Sequence, residues 1–423
     1  VLDDPRVRIY HRDGRSHMKK TSEMYDVVIV DLPDPMTAQV NRFYTVEFFE
    51  EVHRVLHHDG VFSLSVTSGE TMIGPALASL LASLRRTLET VYGEVVIYPG
   101  ATARFHGSPS TGVPVRNPRI LVERIDERKL DLIHVRDYYL LFTISEGRQQ
   151  LLSTVLSAAE KKPVNRDLSP SLYYDSLVFW SAQHTPKIAR FLRSLEKLDL
   201  FIVLVAGTIA TFALALYGYR KKRFREFRLS LVYACFAAGF TEMTLTILLV
   251  LCFQVFYGSL YYKVALLLAA YMIGLMGGSR FMGSRLQVLK NPVKTLFAIQ
   301  AALACYSLLL WLALLFTVHL SPLSWLWSAW EPGFPALLLI AGILGGLHFP
   351  LAGHLYARQD KRTGRTAGLI YGVDLAGSAL GAVLAGMILL PTLGVFRSLV
   401  VLAYFNLLAA TWLIFCGRRL SMT

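Results

Sequence analysis

Two aspartates three residues apart, Asp31 and Asp34, close the stretch Tyr25-Asp26-Val27-Val28-Ile29-Val30-Asp31-Leu32-Pro33-Asp34-Pro35. Val27 to Val30 make an unbroken apolar run, the pattern of a short strand buried on both faces of a parallel sheet. Ligands of open α/β sheets bind beyond the carboxyl ends of the strands. Both carboxylates are therefore expected at the mouth of a ligand site. One carboxylate there can accept a proton from an attacking amine, and a second can hold a cationic amine. Asp13 follows another short alternating stretch, but Asp13-Gly14 also reads as a plain turn and Asp34-Pro35 as a loop start. Far downstream, Glu242, Asp374 and His348 lie inside apolar stretches. Intramembrane carboxylates are expensive and are functional candidates by default. The alternative is interhelical hydrogen bonding in a static bundle.

The elements that must position Asp31 and Asp34 can be read from spacing. Arg6 to Tyr10 alternates like a strand and Ser16 to Glu23 reads as a short helix. Residues 26–30 form the next strand, and Thr45 to Leu56 has helical apolar spacing. Asp59-Gly60 marks a turn before a strand at Val61 to Val66. Pro75 to Val91 reads as an amphipathic helix and Glu94 to Tyr98 as a strand. Residues 101–118 are rich in Gly, Pro, Ser and Thr and read as a long loop. Ile120 to Ile125 is a further candidate strand. This alternation implies a doubly wound α/β sheet. Residues 126–197 read as a helical extension and linker.

Composition changes sharply near Leu198. The chain has 423 residues, 54% of them hydrophobic, and a formal net charge of +13. The apolar residues concentrate in seven stretches, at about 198–219, 229–257, 260–278, 293–318, 335–356, 366–390 and 398–416. Each is long enough, or nearly so, to cross a hydrocarbon core of roughly 30 Å. Residues 198–423 are thus expected to form an all-α polytopic membrane bundle. The positive charge sits in alternate connectors: Arg220 to Arg228, Arg280 to Lys294, Arg358 to Arg365 and Arg418-Arg419. The connectors at Gly258 and around Trp325, Trp327 and Trp330 are nearly uncharged; with Trp311 these tryptophans suggest an interfacial belt. Positive connectors face the cytoplasm. The N-terminal part is also expected there, beside Lys187, Arg190, Arg193 and Lys197, which requires one apolar stretch not to cross. A nucleic-acid partner is not expected, because no aromatic-basic module stands out. Cys235, Cys252, Cys305 and Cys416 are dispersed, so neither a disulfide framework nor a metal site is expected.

Five motifs, in order, carry a family resemblance. They are Asp4-Pro5-Arg6-Val7, Asp13-Gly14-Arg15, the stretch from Tyr25 to Pro35, Phe43-Tyr44-Thr45-Val46-Glu47-Phe48-Phe49, and Asp59-Gly60-Val61-Phe62. Together they resemble spermidine synthase and related aminopropyltransferases over roughly residues 3–125. The combination with apolar stretches is similar to bacterial and archaeal proteins in which such a domain is fused to a multi-pass membrane region. The resemblance implies a Rossmann-like, methyltransferase-type α/β domain at residues 1–125. It also implies decarboxylated S-adenosylmethionine as co-substrate, an amine acceptor such as a polyamine, and no bound cofactor or metal. By the resemblance, Asp31 is the general base, Asp34 binds the amine, and Asp13 with Gly14 contacts the adenine. Tyr98, in Tyr98-Pro99-Gly100, would line the acceptor site. The family's glycine-rich nucleotide turn would fall before Val1, so the chain is read as an N-terminally truncated fragment. Leu32-Pro33 replaces a small polar pair, and no amide side chain occurs near Ser65 where the family has Gln. Two other readings stay open: a membrane transporter whose attached domain senses a polyamine or nucleotide, and a methyltransferase. A homo-oligomer is compatible with the sequence, and the lipid bilayer is an expected partner.

Overall fold

The computed structural model describes residues 4–159, 163–220, 223–258, 261–320, 324–358 and 363–421. The chain divides into two compact units, Val1–Glu196 and Lys197–Thr423.

The first unit contains α1 (Gly14–Lys20), β1 (Tyr25–Val30), α2 (Ala38–Asn41), α3 (Val46–Val55), β2 (Leu56–Thr67), α4 (Pro75–Tyr92), β3 (Val95–Tyr98) and β4 (Thr102–Gly107). Five helices follow: α5 (Pro118–Glu127), α6 (Asp137–Thr143), α7 (Glu146–Ala158), α8 (Ser171–His184) and α9 (Pro186–Leu195). The sheet order is β1-β2-β4-β3. β1 and β2 pair in parallel and β3 runs in the same direction, but β4, lying between β2 and β3, is antiparallel to both. The sheet is therefore mixed, not the parallel doubly wound sheet expected from the alternation.

Local chemistry explains the helices. Thr45 caps α3, its hydroxyl accepting from the Phe48 amide, and Val46, Phe48, Phe49, Val52 and Val55 form the buried stripe. Pro75 sits in the first turn of α4, and Gly93, at φ +71°, ends it. Beyond Gly60, β2 alternates, with Phe62, Leu64 and Val66 buried. These side chains meet Phe49, Leu80, Leu84, Leu88 and Phe105 in the core. Residues 163–184 belong to this core as well. Leu172 and Phe179 pack into it, and the fully buried Asn165 donates to the Asn41 side chain at 3.1 Å and to the Tyr44 carbonyl at 2.8 Å. Two residues on, Asp167 accepts a forked pair of hydrogen bonds, 2.6 and 2.7 Å long, from buried Arg15.

Five further expectations change. Arg6 to Tyr10 is not a strand: the Asp4 carboxylate binds the Arg6 amide and guanidinium, Val7 turns back to the Asp4 carbonyl at 2.8 Å, and no described strand lies alongside. β1 is an edge strand covered on one face only. Val28 is buried, whereas Val27 and Ile29 are 54% and 71% exposed. Thr102–Gly107, inside the expected loop, is a strand whose Ala103 and Phe105 point into the core. Ile120 to Ile125 belongs to α5, because Asn117 caps the Arg119 amide and Pro118 starts the helix. The Asp59-Gly60 turn lies within β2 as a bulge, where Tyr25 pairs with Leu56 but Val27 pairs with Val61.

The second unit is helical. It comprises α10 (Leu200–Tyr219), α11 (Arg223–Tyr257), α12 (Tyr261–Arg285), α13 (Pro292–His319), α14 (Trp325–Trp330), α15 (Gly333–Ala357), α16 (Thr363–Leu384), a π-helical segment (Ala385–Leu393) and α17 (Gly394–Ser421). Among the described residues, 6 helices are long and apolar enough to cross a membrane; the last runs from Gly364 to Gly417 and holds the final two apolar stretches. Pro391 and Gly394, at φ +75°, divide it. α11 is central and packs on α15, α16 and α17. Trp327 is buried against Tyr257 and Phe256, with ring centroids 5.0 and 5.8 Å apart, so it packs inside the bundle, whereas Trp325 is exposed. Trp330 donates to the Thr317 hydroxyl at 2.9 Å.

Candidate functional site

Asp31 directly follows β1, and its side chain is exposed. Asp34 is half-buried, and its carboxylate accepts from the Thr67 amide at 2.9 Å. Thr67 ends β2, the parallel neighbour of β1. The two carboxylates thus stand at the carboxyl ends of the parallel strand pair, as expected from the sequence. The connecting loop is held by a residue the spacing did not single out. Tyr44 is fully buried, and its hydroxyl donates to the Pro33 carbonyl at 2.9 Å. Burial, then the nearby charges of Asp34 and Asp31, hold the Tyr44 phenol well above its usual range, so it remains a donor. Its place just before the Thr45 cap, inside a quoted motif, was the available signal. The hydroxyl fixes the loop, the Thr67 amide orients Asp34, and Asp31 is left facing solvent. Such a pair can accept one proton and orient one ammonium group.

The other expected members make contacts of their own. Asp13 caps α1, accepting from the Ser16 amide at 2.9 Å, and forms a buried ion pair with Arg42. Its carboxylate serves local structure. Gly14 opens α1 beside it, and the space where a side chain would stand is open within 4 Å. Tyr98 ends β3 at the same end of the sheet, but three strand positions from β1, roughly 14 Å at the usual spacing. Its hydroxyl donates to the Val115 carbonyl at 2.8 Å. The sheet order, hidden while β4 was read as loop, separates it from the aspartates.

In the second unit, Glu242 is 7% exposed on α11 and accepts from the Tyr271 hydroxyl at 3.2 Å. Asp374 lies on α16, where it meets Gly239 of α11. His348 on α15 is buried, and its Nε2 has no hydrogen-bond partner among the described residues. No group of three or more His, Cys, Asp or Glu suited to a metal ion occurs among the described residues.

Residues 1–100 match the spermine/spermidine synthase domain family. Over 89 residues, 21% of this chain, the sequence is 36% identical to polyamine aminopropyltransferase 1 of Streptomyces coelicolor, covering 16% of that protein. It is 36% identical over 98 residues to the polyamine aminopropyltransferase of Moorella thermoacetica, covering 23% of this chain and 32% of that protein. With the Synechococcus sp. polyamine aminopropyltransferase it shares 30% identity over 130 residues, 30% of this chain and 40% of that protein. The chain therefore spans less than half the length of each of these relatives. The family match ends at residue 100, within the first unit, and the apolar helices begin at Leu200. The protein joins an N-terminal spermidine-synthase-like domain to a C-terminal bundle of membrane-like helices.

Proposed function

We propose that the first unit is a membrane-tethered aminopropyltransferase, acting from the cytoplasmic face on decarboxylated S-adenosylmethionine and a polyamine acceptor. The observation that carries this is the placement of Asp31 and Asp34 at the ends of β1 and β2, with Asp34 fixed by the Thr67 amide. Asp34 holds the acceptor's ammonium or orients its amine. The neutral amine nitrogen attacks the carbon bonded to the sulfonium; the C–N bond forms, the C–S bond breaks, and the thioether leaves with the electron pair. Asp31 takes the proton released by the new ammonium. The sulfonium needs no acid to leave.

The test uses the protein encoded by its native gene, purified in detergent and supplied with the donor and mixed di- and triamines. Methylthioadenosine and a mass gain of one aminopropyl unit are expected. Asp31→Asn lowers the rate by at least about 100-fold, the size of a lost general base. Equal product from wild type and Asp31→Asn overturns the role given to Asp31, and no product with measurable amine binding overturns the transferase. A second reading, a domain that binds without turnover, is favoured by Asp13, whose carboxylate is engaged by Ser16 and Arg42.

A further inference from the structure

α9, the last helix of the first unit, buries one apolar stripe and leaves a second in the open. Ala189 and Leu192 are buried, and Leu192 packs on Tyr174 and Val178 of α8. The Tyr174 hydroxyl donates to the Leu192 carbonyl. These contacts fix which way the helix faces. Ile188, Phe191 and Leu195, spaced by three and four residues, form the adjoining stripe. Little covers it among the described residues: Ile188 is 49% and Phe191 61% exposed, and Leu195 is half-buried.

Lys187, Arg190 and Arg193 run along the polar side of the same helix, all three exposed. None of them makes an ion pair among the described residues. Lys197 adds a fourth basic group, and Glu196 and Asp199 add two acids, of which Asp199 faces Arg397 at 3.4 Å. The segment therefore keeps a basic excess beside an uncovered apolar stripe. Chain continuity says what lies near it. Residues 196–199 join α9 to α10, the first of the membrane-like helices. The steps from Leu195 to Leu200 reach at most about 18 Å even when fully extended. A helix held this close to a bilayer, with aromatic and aliphatic groups on one side and unpaired cations on the other, suits the plane of the lipid headgroups. Its apolar stripe can reach the acyl chains while the long basic side chains extend to phosphates.

We propose that α9 is a lipid-docking helix. Ile188, Phe191 and Leu195 enter the acyl boundary of the bilayer, and Lys187, Arg190 and Arg193 meet the phosphates of anionic phospholipids. α9 is fixed to α8, and α8 to the core through Leu172 and Phe179, so seating α9 sets the tilt of the first unit on the membrane surface. This assignment depends neither on the transferase reading nor on whether α10 crosses.

The test is nitroxide collision spectroscopy on the full chain, its native cysteines replaced, in vesicles of phosphatidylcholine with a minority of phosphatidylglycerol. Labels are placed on Ile188→Cys, Phe191→Cys and, for the polar side, Arg190→Cys. All three positions are exposed, so the fold is not at stake. Labels on Ile188→Cys and Phe191→Cys are expected to collide more with dissolved oxygen than with a water-soluble nickel chelate, and the label on Arg190→Cys the reverse. Leaving out phosphatidylglycerol raises chelate collisions at Phe191→Cys. Lys187→Gln with Arg193→Gln does the same, lowering the ratio of seated to free helix by about fivefold per charge lost. Equal chelate access at all three positions overturns the proposal. Shielding of Phe191→Cys from oxygen and chelate alike overturns it in favour of a protein cover, such as a second copy of the chain. Seating that ignores both phosphatidylglycerol and the charge variants overturns the anionic-headgroup assignment.

Discussion

His106 shows how a single half-buried side chain can set a pH limit on the first unit. It lies on β4, its ring tilted against Tyr98 with centroids 4.7 Å apart, and its Nε2 is buried without a hydrogen-bond partner among the described residues. Burial, aided by the Arg104 charge, lowers its pKa from 6.5 to about 4. Between those values the unfolded chain binds more protons than the folded one. The stability due to neutral His106 is therefore fully present above pH 6.5 and lost as pH falls toward 4. The whole window is worth about 3 kcal/mol. His106→Gln cannot titrate, so the expected difference is a flatter acid limb. Urea-dependent pulse proteolysis of the full chain in detergent, from pH 7 to 4, measures it. The comparison must be between the two proteins, because the half-buried Glu47 carboxyl, raised to about 7 mainly by desolvation, titrates in the opposite sense. Parallel curves would mean that His106 is hydrated in the folded chain.

The helices of the second unit meet through glycine, and this is where packing is most easily broken. On α12, Gly274 and Gly278 face Gly342 and Gly346 of α15. A Cβ at any of the four would lie 2.2–2.3 Å from a carbonyl oxygen of the opposite helix. Backbones this close leave no room for a methyl group. Gly346→Ala should force α12 and α15 apart and destabilise the bundle by about 1–3 kcal/mol, the usual size of overpacking. Gly277→Ala, on the same helix with nothing within 4 Å, should leave the thermal midpoint in detergent unchanged or slightly raised. Equal losses in the two variants would place the effect in helix propensity and not in the interface. Gly377 and Gly381, four residues apart on α16, likewise abut α11, where a Cβ would lie 2.3 and 2.5 Å from the Phe236 and Phe240 carbonyls; such a spacing within one helix can be read from sequence. The α12–α15 seam could not, since its two halves lie 64 or more residues apart and only the fold brings them together. The first unit divides the same way. The strands expected at 26–30 and 61–66 and the helices at 45–56 and 75–91 were readable because period and caps agree. β4 was masked by its turn-rich surroundings. The clamp of Asn165 and Asp167 carries no periodicity, and its partners are distant in sequence. For the same reason Asp31 and Asp34 were readable at a strand end, whereas the fixing of Asp34 by Thr67 was not.

Charge distribution and helix number together constrain the whole molecule. The basic connectors alternate with neutral ones along α10 to α17, so they fall on one side of a membrane if each apolar helix crosses once. Crossing by α10 as well would put the first unit on the opposite side from those connectors. The cytoplasmic placement proposed for the transferase therefore requires α10 to lie along the membrane, and α10 is the least buried of the apolar helices, at 11%. Long domains translocate largely regardless of flanking charge, so Lys187, Arg190 and Arg193 do not decide the matter. Single cysteines on a cysteine-free background do. Gln287→Cys, between α12 and α13, should resist a membrane-impermeant maleimide in intact cells and react after permeabilisation. Ser324→Cys, at the start of α14, should react in intact cells. Lys129→Cys, after α5, should behave like Gln287→Cys. If instead Lys129→Cys and Ser324→Cys react together while Gln287→Cys is protected, α10 crosses. The first unit would then face away from a cytosolic nucleotide donor. Asp31 and Asp34 would have to serve an amine met outside the cell, and the intramembrane carboxylates would become the first part of the protein to examine for amine movement.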